Sequence, residues 1–234
     1  MDQSRSIEWW NNSLDEVGIQ IMDKVIATDA STESFLQTGK NDLARAMAIT
    51  GMTCGQDRTA VEVGCGLGRI SVALAEHFGR VVGLDIAPRL IEEARRLVDN
   101  DRVTFEVSDG NHVHPQSIEK CDTVFSYEVM HYINPESLTV YFRDVYDLLA
   151  PEGQFVFQLN MEQIHLKTKL SFWLRQCLYA CGIKQWRGWP NGPGLRRYYH
   201  SYHWLRTTLT KIGFEIKTIA GPSVRQTWIV AEKN

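Results

Sequence analysis

The residues best suited to hold a small ligand are three alternate glycines, Gly64, Gly66 and Gly68, which follow a β-branched run ending at Val63. Because glycine has no side chain, a turn made of it lets a ligand approach the backbone closely. A strand that feeds a helix through such a turn presents the ligand site at the carboxyl end of a parallel sheet. The spacing therefore predicts a binding turn over residues 64–68.

Two residues that follow the glycine turn narrow the class of ligand. A dinucleotide fingerprint needs a third glycine three positions after Gly66, but this chain has Arg69 there, which argues against a nicotinamide oxidoreductase. Asp85 lies 21 residues after Gly64, at the end of the next predicted strand, where an acid can accept both ribose hydroxyls. The alternative role for Asp85 is to cap the helix that begins at Pro88.

The glycine motif that begins at Glu62, followed by Asp85 and Asp109 after the next two predicted strands, resembles the class I S-adenosylmethionine-dependent methyltransferases. The resemblance covers residues 39–160 and, less fully, the C-terminal hairpin. It implies S-adenosyl-L-methionine as the cofactor and S-adenosyl-L-homocysteine as the product. The cofactor-binding residues that it implies are Glu62, Gly64, Gly66, Gly68, Arg69, Asp85, Ile86, Asp109, Gly110, Tyr127 and Arg45.

The resemblance also assigns roles within this set. Asp109 would accept a hydrogen bond from the adenine amino group, and the backbone amide of Gly110 would meet a ring nitrogen. Glu62 would orient the methionine amino group. The backbone carbonyl of Tyr127 would also accept a hydrogen bond from this group. Arg69 and Arg45 are candidates for the methionine carboxylate; for Arg45, a solvated surface charge is the equal alternative.

One histidine is the candidate catalytic group. Methyl transfer from a sulfonium is an in-line displacement, so the protein mainly aligns the acceptor, excludes water and removes a proton where needed. His131 follows the fourth predicted strand, where the resemblance places the floor of the active site. Its ordinary pKa of about 6.5 suits a general base for an acceptor hydroxyl. A structural histidine bonded to nearby backbone is the alternative.

No metal site is expected. His112 and His114 flank Val113, a spacing that can hold a metal ion. The sequence places no cysteine or carboxylate beside them, and two imidazoles alone make a poor zinc site.

The acceptor is predicted to lie against residues 162–206. This segment contains eight Lys and Arg residues and one acidic residue, although the net charge of the whole chain is −3. Basic and aromatic side chains together favour an anionic acceptor, because arginine binds carboxylate or phosphate. The candidate substrate-binding residues are Arg196, Arg197, Tyr199 and His200. A solvated cationic face is one alternative, and a basic amphipathic helix over 172–179 lying on an anionic membrane is another.

The elements that position these residues alternate along the chain. Strands are predicted at 59–63, 80–84, 102–107, 121–126 and 153–159, and helices at 7–27, near 43–51, 69–78, 88–99 and 136–149. Two further strands, 213–219 and 226–231, are too close in sequence for a crossover helix and form a hairpin. The predicted fold is a doubly wound, mostly parallel seven-stranded α/β sheet that ends in an antiparallel hairpin.

The predicted organisation has four parts: N-terminal helices and lid (1–55), a cofactor-binding core (56–160), a cap insertion over the acceptor (161–205), and a C-terminal helix with the hairpin (206–234). The N-terminus lacks a signal-peptide pattern, no run of about 18 apolar residues occurs, and the five cysteines form no CxxC pair. These features favour a cytoplasmic protein.

The predicted function is methyl transfer from S-adenosylmethionine to a small or lipid-linked, anionic acceptor, with oxygen as the favoured atom. The alternatives are a non-catalytic S-adenosylmethionine-binding regulatory subunit, and an N- or C-methyltransferase of a natural product. Nucleic acid is not the expected partner, because the segment from Ser126 to Val129 differs from the tetrad of base-modifying amino-methyltransferases. Peripheral membrane contact and the oligomeric state stay open.

Overall fold

The computed structural model describes residues 8–12, 32–161, 166–186, 189–191, 197–223 and 226–234. Residues 8–12 are helical, as predicted, but the rest of the helix predicted over 7–27 lies outside the described residues. Among the helices that are described, none has the length and apolar character needed to cross a membrane.

Helices and strands alternate through the core of the chain. Helices α1 to α6 span Thr32–Thr50, Arg69–Leu74, Pro88–Leu97, Pro135–Leu148, Leu166–Ala180 and Tyr202–Ile212, and a short 3-10 helix covers Met130–Tyr132. Strands β1 to β7 span Gly55–Val63, Phe78–Asp85, Val103–Val107, Cys121–Ser126, Leu149–Leu159, Phe214–Ser223 and Gln226–Lys233. A separate two-residue ladder pairs Gln185–Trp186 with Trp189–Pro190.

Within the described residues, β1 to β7 form one sheet in the order β3-β2-β1-β4-β5-β7-β6. The first five strands are parallel, and β7 pairs antiparallel with both β5 and β6. The predicted fold class is therefore confirmed, including the terminal hairpin. The strand order reverses beside β1, which places the ends of β1, β2 and β4 around one crevice.

Both faces of the sheet are covered by helices, so the side chains that alternate between the two faces along a strand are buried on either side. On β5, Phe155 and Phe157 pack with Phe142 of α4, whereas Val156 points to the opposite face and packs with Trp228 and the α1–α2 layer. The two faces thus form separate hydrophobic cores. Each buried aromatic side chain removes a large apolar area from water, which holds the strand ends in fixed positions.

The end of the helix predicted at 69–78 and the start of the strand after it were predicted wrongly. The apolar spacing from Ile70 to Phe78 was interpreted as a helix, but α2 ends at Leu74, and β2 begins at Phe78 rather than Arg80. The reason is tertiary: Phe78 pairs with Gly55 of β1 and is completely buried in the sheet. An apolar run of this length fits either structure by periodicity alone.

Candidate active site

The glycine turn has the backbone geometry that its sequence predicts. Gly64, Gly66 and Gly68 have φ values of 80°, 54° and 86°, in the left-handed region that favours glycine. A Cβ on Gly64 would lie 2.2 Å from a methyl carbon of Val129, and one on Gly68 would lie 2.5 Å from the ring of Phe105. Any side chain at these two positions would therefore displace the turn.

Asp85 links the glycine turn to the start of α3. Its Oδ2 accepts from the Gly66 amide at 2.9 Å, and its Oδ1 accepts from the Ala87 amide at 3.0 Å. Burial raises the pKa of Asp85, while the amides of Ala87, Gly66 and Ile86 act in the opposite direction by stabilising the carboxylate. Asp85 as a whole residue is half-buried. Ala87, not Asp85, is the N-cap residue of α3, and no side chain caps this helix, so the capping alternative for Asp85 is wrong. Asp85 accepts two hydrogen bonds from backbone amides, and its carboxylate keeps further lone pairs for a ligand.

Glu62 lies on β1 beneath the turn. It is almost completely buried and accepts a short hydrogen bond from the hydroxyl of Ser71 on α2. A buried carboxylate needs such partners, since an isolated charge in an apolar interior is costly. Ser71 therefore helps to fix the orientation of Glu62.

Arg69 and Arg45 share one acid but have different surroundings. Arg69 is buried at the start of α2, and its Nη1 donates to Asp42 Oδ2 at 2.8 Å. Arg45 pairs with the same carboxylate at 3.5 Å, but 73% of its side chain is exposed. The structure thus places Arg69 beside the glycine turn and Arg45 on the solvent face of α1.

Tyr127, which follows β4, forms the wall of the crevice opposite the glycine turn. Its ring stacks on Trp228 of β7 with centroids 5.6 Å apart and an interplanar angle of 9°. The guanidinium of Arg69 lies 5.6 Å from the Tyr127 ring centroid. Burial raises the pKa of Tyr127 to about 12, helped by the nearby acids Asp42 and Glu128, so its hydroxyl stays protonated at neutral pH.

The loop after β3 is strongly ordered by hydrogen bonds. Asp109 Oδ1 accepts from the amides of Asn111 at 2.8 Å and His112 at 2.9 Å. Desolvation alone would raise the pKa of Asp109, but these two bonds, together with the nearby imidazoles of His112 and His114, lower the pKa. The carbonyl of Gly110 accepts from the buried hydroxyl of Tyr141 on α4 at 2.7 Å. The loop therefore presents Asp109 Oδ2 from a fixed backbone.

Residues 8–12 contact the loops at the carboxyl ends of the parallel strands. Asn11 Oδ1 accepts from the Arg89 amide at 3.1 Å, at the start of α3. Trp9 is buried, and Trp10 packs edge-on against Tyr132 with centroids 5.7 Å apart. This segment joins the loop after β2 to the loop after β4.

Two of the residues predicted to act on the acceptor are buried histidines. His131 and His200 are 2% and 1% exposed, and among the described residues no hydrogen-bond partner meets any of their ring nitrogens. Burial lowers the pKa of His131 to about 3, with further lowering from Arg197 and His200, and burial lowers the pKa of His200 to about 4. Both imidazoles are therefore neutral at pH 7, so the ordinary pKa assumed for His131 from sequence does not apply in the free protein.

The other predicted acceptor residues lie nearby along the chain. The guanidinium of Arg197 lies 5.6 Å from the Tyr132 ring centroid, and the Tyr198 amide donates to the His131 carbonyl at 2.8 Å. Tyr199 is 39% exposed. Arg196 lies outside the described residues. We call His131, His200, Tyr132 and Arg197 the histidine cluster.

Sequence reasoning missed several members of the site. Asp42 holds Arg69, Trp228 backs Tyr127, and Glu128 Oε2 lies 3.7 Å from His131 Nε2. Glu128 also has a positive φ of 58°, unusual for a residue with a side chain and typical of functional loops. The one available signal was the position of Glu128 three residues before His131.

Comparisons with known proteins agree with this geometry. Residues 60–153 match the family model described as a methyltransferase domain. A probable S-adenosylmethionine-dependent methyltransferase of Saccharomyces cerevisiae is 26% identical over 110 residues, covering 44% of this chain and 36% of that protein. A bovine 18S rRNA (guanine-N(7))-methyltransferase is 27% identical over 118 residues, covering 46% of this chain and 42% of its own length. The chain thus spans less than half the length of these relatives.

The fold comparison extends over the whole chain. The magnesium protoporphyrin IX methyltransferase of Synechocystis PCC 6803, solved with bound S-adenosylhomocysteine, superposes with a TM-score of 0.65. The two sequences are 20% identical, and the match covers 100% of both chains. At this identity the likeness establishes the shared sheet and helices.

Proposed function

Because the core of this chain belongs to the class I S-adenosylmethionine-dependent methyltransferase family, we propose that the protein transfers a methyl group from S-adenosylmethionine to a small or lipid-linked anionic acceptor, at oxygen. The observation that carries the acceptor side of this proposal is the histidine cluster. Buried polar atoms are normally paired, so four ring nitrogens that meet no partner within the described part of the chain favour a polar ligand at that position.

The residues at the glycine turn fit the cofactor. Val129 and Phe105 pack against Gly64 and Gly68, so the turn is held in its left-handed conformation. Asp85 and Asp109 offer carboxylates on two neighbouring strand ends beside it. The stacked Tyr127 and the Arg69–Asp42 pair supply an aromatic face and a fixed cation nearby. When bound, the cofactor supplies a methyl group already activated on a sulfonium. The protein therefore needs no covalent nucleophile.

His131 is the proposed proton acceptor. In the free protein it is neutral and carries a lone pair, but burial and Arg197 make it a weak base. An anionic acceptor that pairs with Arg197 would cancel that repulsion and raise the pKa of His131. Once protonated, His131 would form an ion pair with Glu128, 3.7 Å from its Nε2. Because pairing at Arg197 would make His131 a stronger base, the site favours an acceptor with an anionic group beside the reacting hydroxyl.

The exposed face of α5 supports the lipid-linked version. Leu166, Leu170 and Trp173 are 72%, 56% and 65% exposed, and they recur at helical spacing on one side. The exposed residues Lys167 and Lys169 lie within the same helix. Apolar and basic side chains together suit an anionic lipid surface. Sedimentation with vesicles tests this: pelleting only with anionic lipid supports a lipid-linked acceptor, and no pelleting points to a small soluble one.

The decisive experiment joins binding to turnover. Titration with S-adenosylhomocysteine should give one site that Asp85→Ala weakens, and labelled S-adenosylmethionine should transfer label to an extracted metabolite. Binding without transfer would support the regulatory-subunit alternative, and label in RNA would overturn the expectation of a non-nucleic-acid acceptor. A cytoplasmic location belongs to the same proposal.

The base role has its own test. His131→Gln, which keeps a polar side chain of similar size, should lower kcat by about 10²- to 10⁴-fold while the affinity for S-adenosylhomocysteine stays unchanged. The exposed residue His203 on α6 provides the control through His203→Gln, which should leave kcat unaltered. Full activity of His131→Gln would indicate an acceptor oxygen that is already ionised, such as a carboxylate.

A further inference from the structure

A second cluster of titratable groups lies on the outer side of the loop after β3. His112 Nδ1 is 3.0 Å from Asp144 Oδ2, and His114 Nε2 is 3.9 Å from Asp144 Oδ1. The two imidazole rings are stacked, with centroids 5.4 Å apart and an interplanar angle of 14°. One ligand atom from each of the three residues lies within 4.8 Å of the others. The carboxylate that the sequence did not place beside these histidines is thus supplied by α4.

The backbone holds the two histidines on one side of the segment. Val113 between them is 1% exposed and anchors the segment in the core, while its amide donates to Asp144 Oδ2 at 3.0 Å. His112 and His114 are exposed on either side of the buried Val113, and both imidazoles lie beside Asp144. Their side chains are 49% and 66% exposed, which leaves an open path from solvent.

The donor set selects the kind of metal. Two imidazole nitrogens and one carboxylate oxygen form the three-ligand set that binds Zn²⁺ and leaves a fourth position for water. Mg²⁺ and Ca²⁺ prefer oxygen ligands, so they are poor matches. We propose that His112, His114 and Asp144 form a Zn²⁺ site, reached by small adjustments of two exposed side chains.

The same segment is bonded to the loop that presents Asp109. Asp109 Oδ1 accepts from the His112 amide, and the hydroxyl of Ser108 donates to the His112 carbonyl at 3.1 Å. A metal ion bridging His112 to Asp144 would replace their hydrogen bond with two coordination bonds, and so hold this loop more firmly to α4, beside the Tyr141–Gly110 and Val113–Asp144 bonds. Because the ion would restrict the loop in its binding conformation, Zn²⁺ and S-adenosylhomocysteine should each increase the other's affinity. This coupling, unlike the site itself, rests on the proposed function.

The site is tested by Zn²⁺ titration of the untagged protein, with Co²⁺ as a spectroscopic probe. One equivalent of Zn²⁺ should bind, and Co²⁺ should give the visible absorption of a low-coordinate site. His114→Ala should weaken Zn²⁺ binding by more than about 10-fold, because losing a direct ligand costs at least as much as losing an outer partner. The control is His77→Ala, since His77 follows α2 at the far end of β2. Absence of stoichiometric binding, or equal binding by His114→Ala, would overturn the site.

The coupling is tested separately. The affinity for S-adenosylhomocysteine should rise when Zn²⁺ is added to the wild type and stay constant in His114→Ala. If Zn²⁺ binds but leaves that affinity unchanged in the wild type, the coupling is refuted and the site remains. If S-adenosylhomocysteine does not bind at all, the proposed function fails, whereas the Zn²⁺ titration still decides the metal site.

Discussion

Asp109→Asn offers the sharpest test of the proposed contact between Asp109 and adenine, because the side chain has two distinct oxygens. Oδ1 accepts from the amides of Asn111 and His112, so an asparagine can keep its oxygen there and preserve the loop. Its NH₂ group would then occupy the position of Oδ2 and face the amino group of adenine. The substitution therefore replaces an acceptor with a donor while changing the shape of the side chain very little.

The expected loss follows from the type of hydrogen bond. A bond to a charged group contributes about 1.5–3 kcal/mol, and the exposure of Asp109 favours the lower part of that range. A loss of about 1.5–2 kcal/mol corresponds to a ~10- to 30-fold weaker Kd for S-adenosylhomocysteine. Isothermal titration measures this directly, with thermal denaturation to show that the loop is intact. Asp101→Asn, which removes an exposed acid in the turn before β3, is the matched charge control.

A purine analogue of S-adenosylhomocysteine that lacks the 6-amino group completes a double-mutant cycle. The wild type should bind this analogue more weakly than the natural product, whereas Asp109→Asn should bind both with similar affinity. The reasoning is refuted if Asp109→Asn binds the natural product within about twofold of the wild type. Equal discrimination by both proteins would show that Asp109 does not meet the amino group.

Three further perturbations follow from the contacts at the site. Gly64→Ala should destabilise the fold by more than about 2 kcal/mol, because its Cβ would lie 2.2 Å from Val129 at a positive φ. Thermal melts should show partial recovery of stability when Val129→Ala is added. An unchanged melting temperature for Gly64→Ala would contradict the argument. The pKa values of His131 and His200 lie below those of the unfolded chain, so stability should fall as pH drops below about 6.5, by up to about 1.4 kcal/mol per pH unit for each histidine. Urea melts at several pH values should show a shallower fall in His131→Gln; identical slopes would mean that His131 is not buried as a neutral group. Arg197→Gln should raise the KM for the acceptor ~10-fold or more with the cofactor Kd unaltered, and steady-state kinetics showing the reverse would remove Arg197 from the acceptor side.

Local sequence patterns predicted the sheet and the glycine turn well, since each depends on short-range rules. Alternation of strands with helices gives the parallel order, and the short connection before Gln226 permits only a hairpin. The left-handed φ values at Gly64 and Gly68 likewise follow from the residue type. Such features require no knowledge of what packs against them.

The remaining features depend on contacts between distant parts of the chain. Asp42 reaches Arg69 only because α1 packs against α2, and Asp144 reaches His112 only because α4 lies beside the loop after β3. The sequence identifies His131 as a titratable group but not its burial, which sets its pKa. Pairing and desolvation are tertiary properties, and a single sequence has no local pattern that encodes them.

The position of β7 between β5 and β6 has a consequence for synthesis of the protein. Strand β5 has no partner on that side until β7 pairs Ile229 with Phe157, and β6 must wait for the same strand although it is translated earlier. Trp228, which backs Tyr127, arrives with that strand. The nascent chain on the ribosome therefore carries an open sheet edge and an incomplete ligand wall, and it should be vulnerable to aggregation until β7 emerges from the exit tunnel.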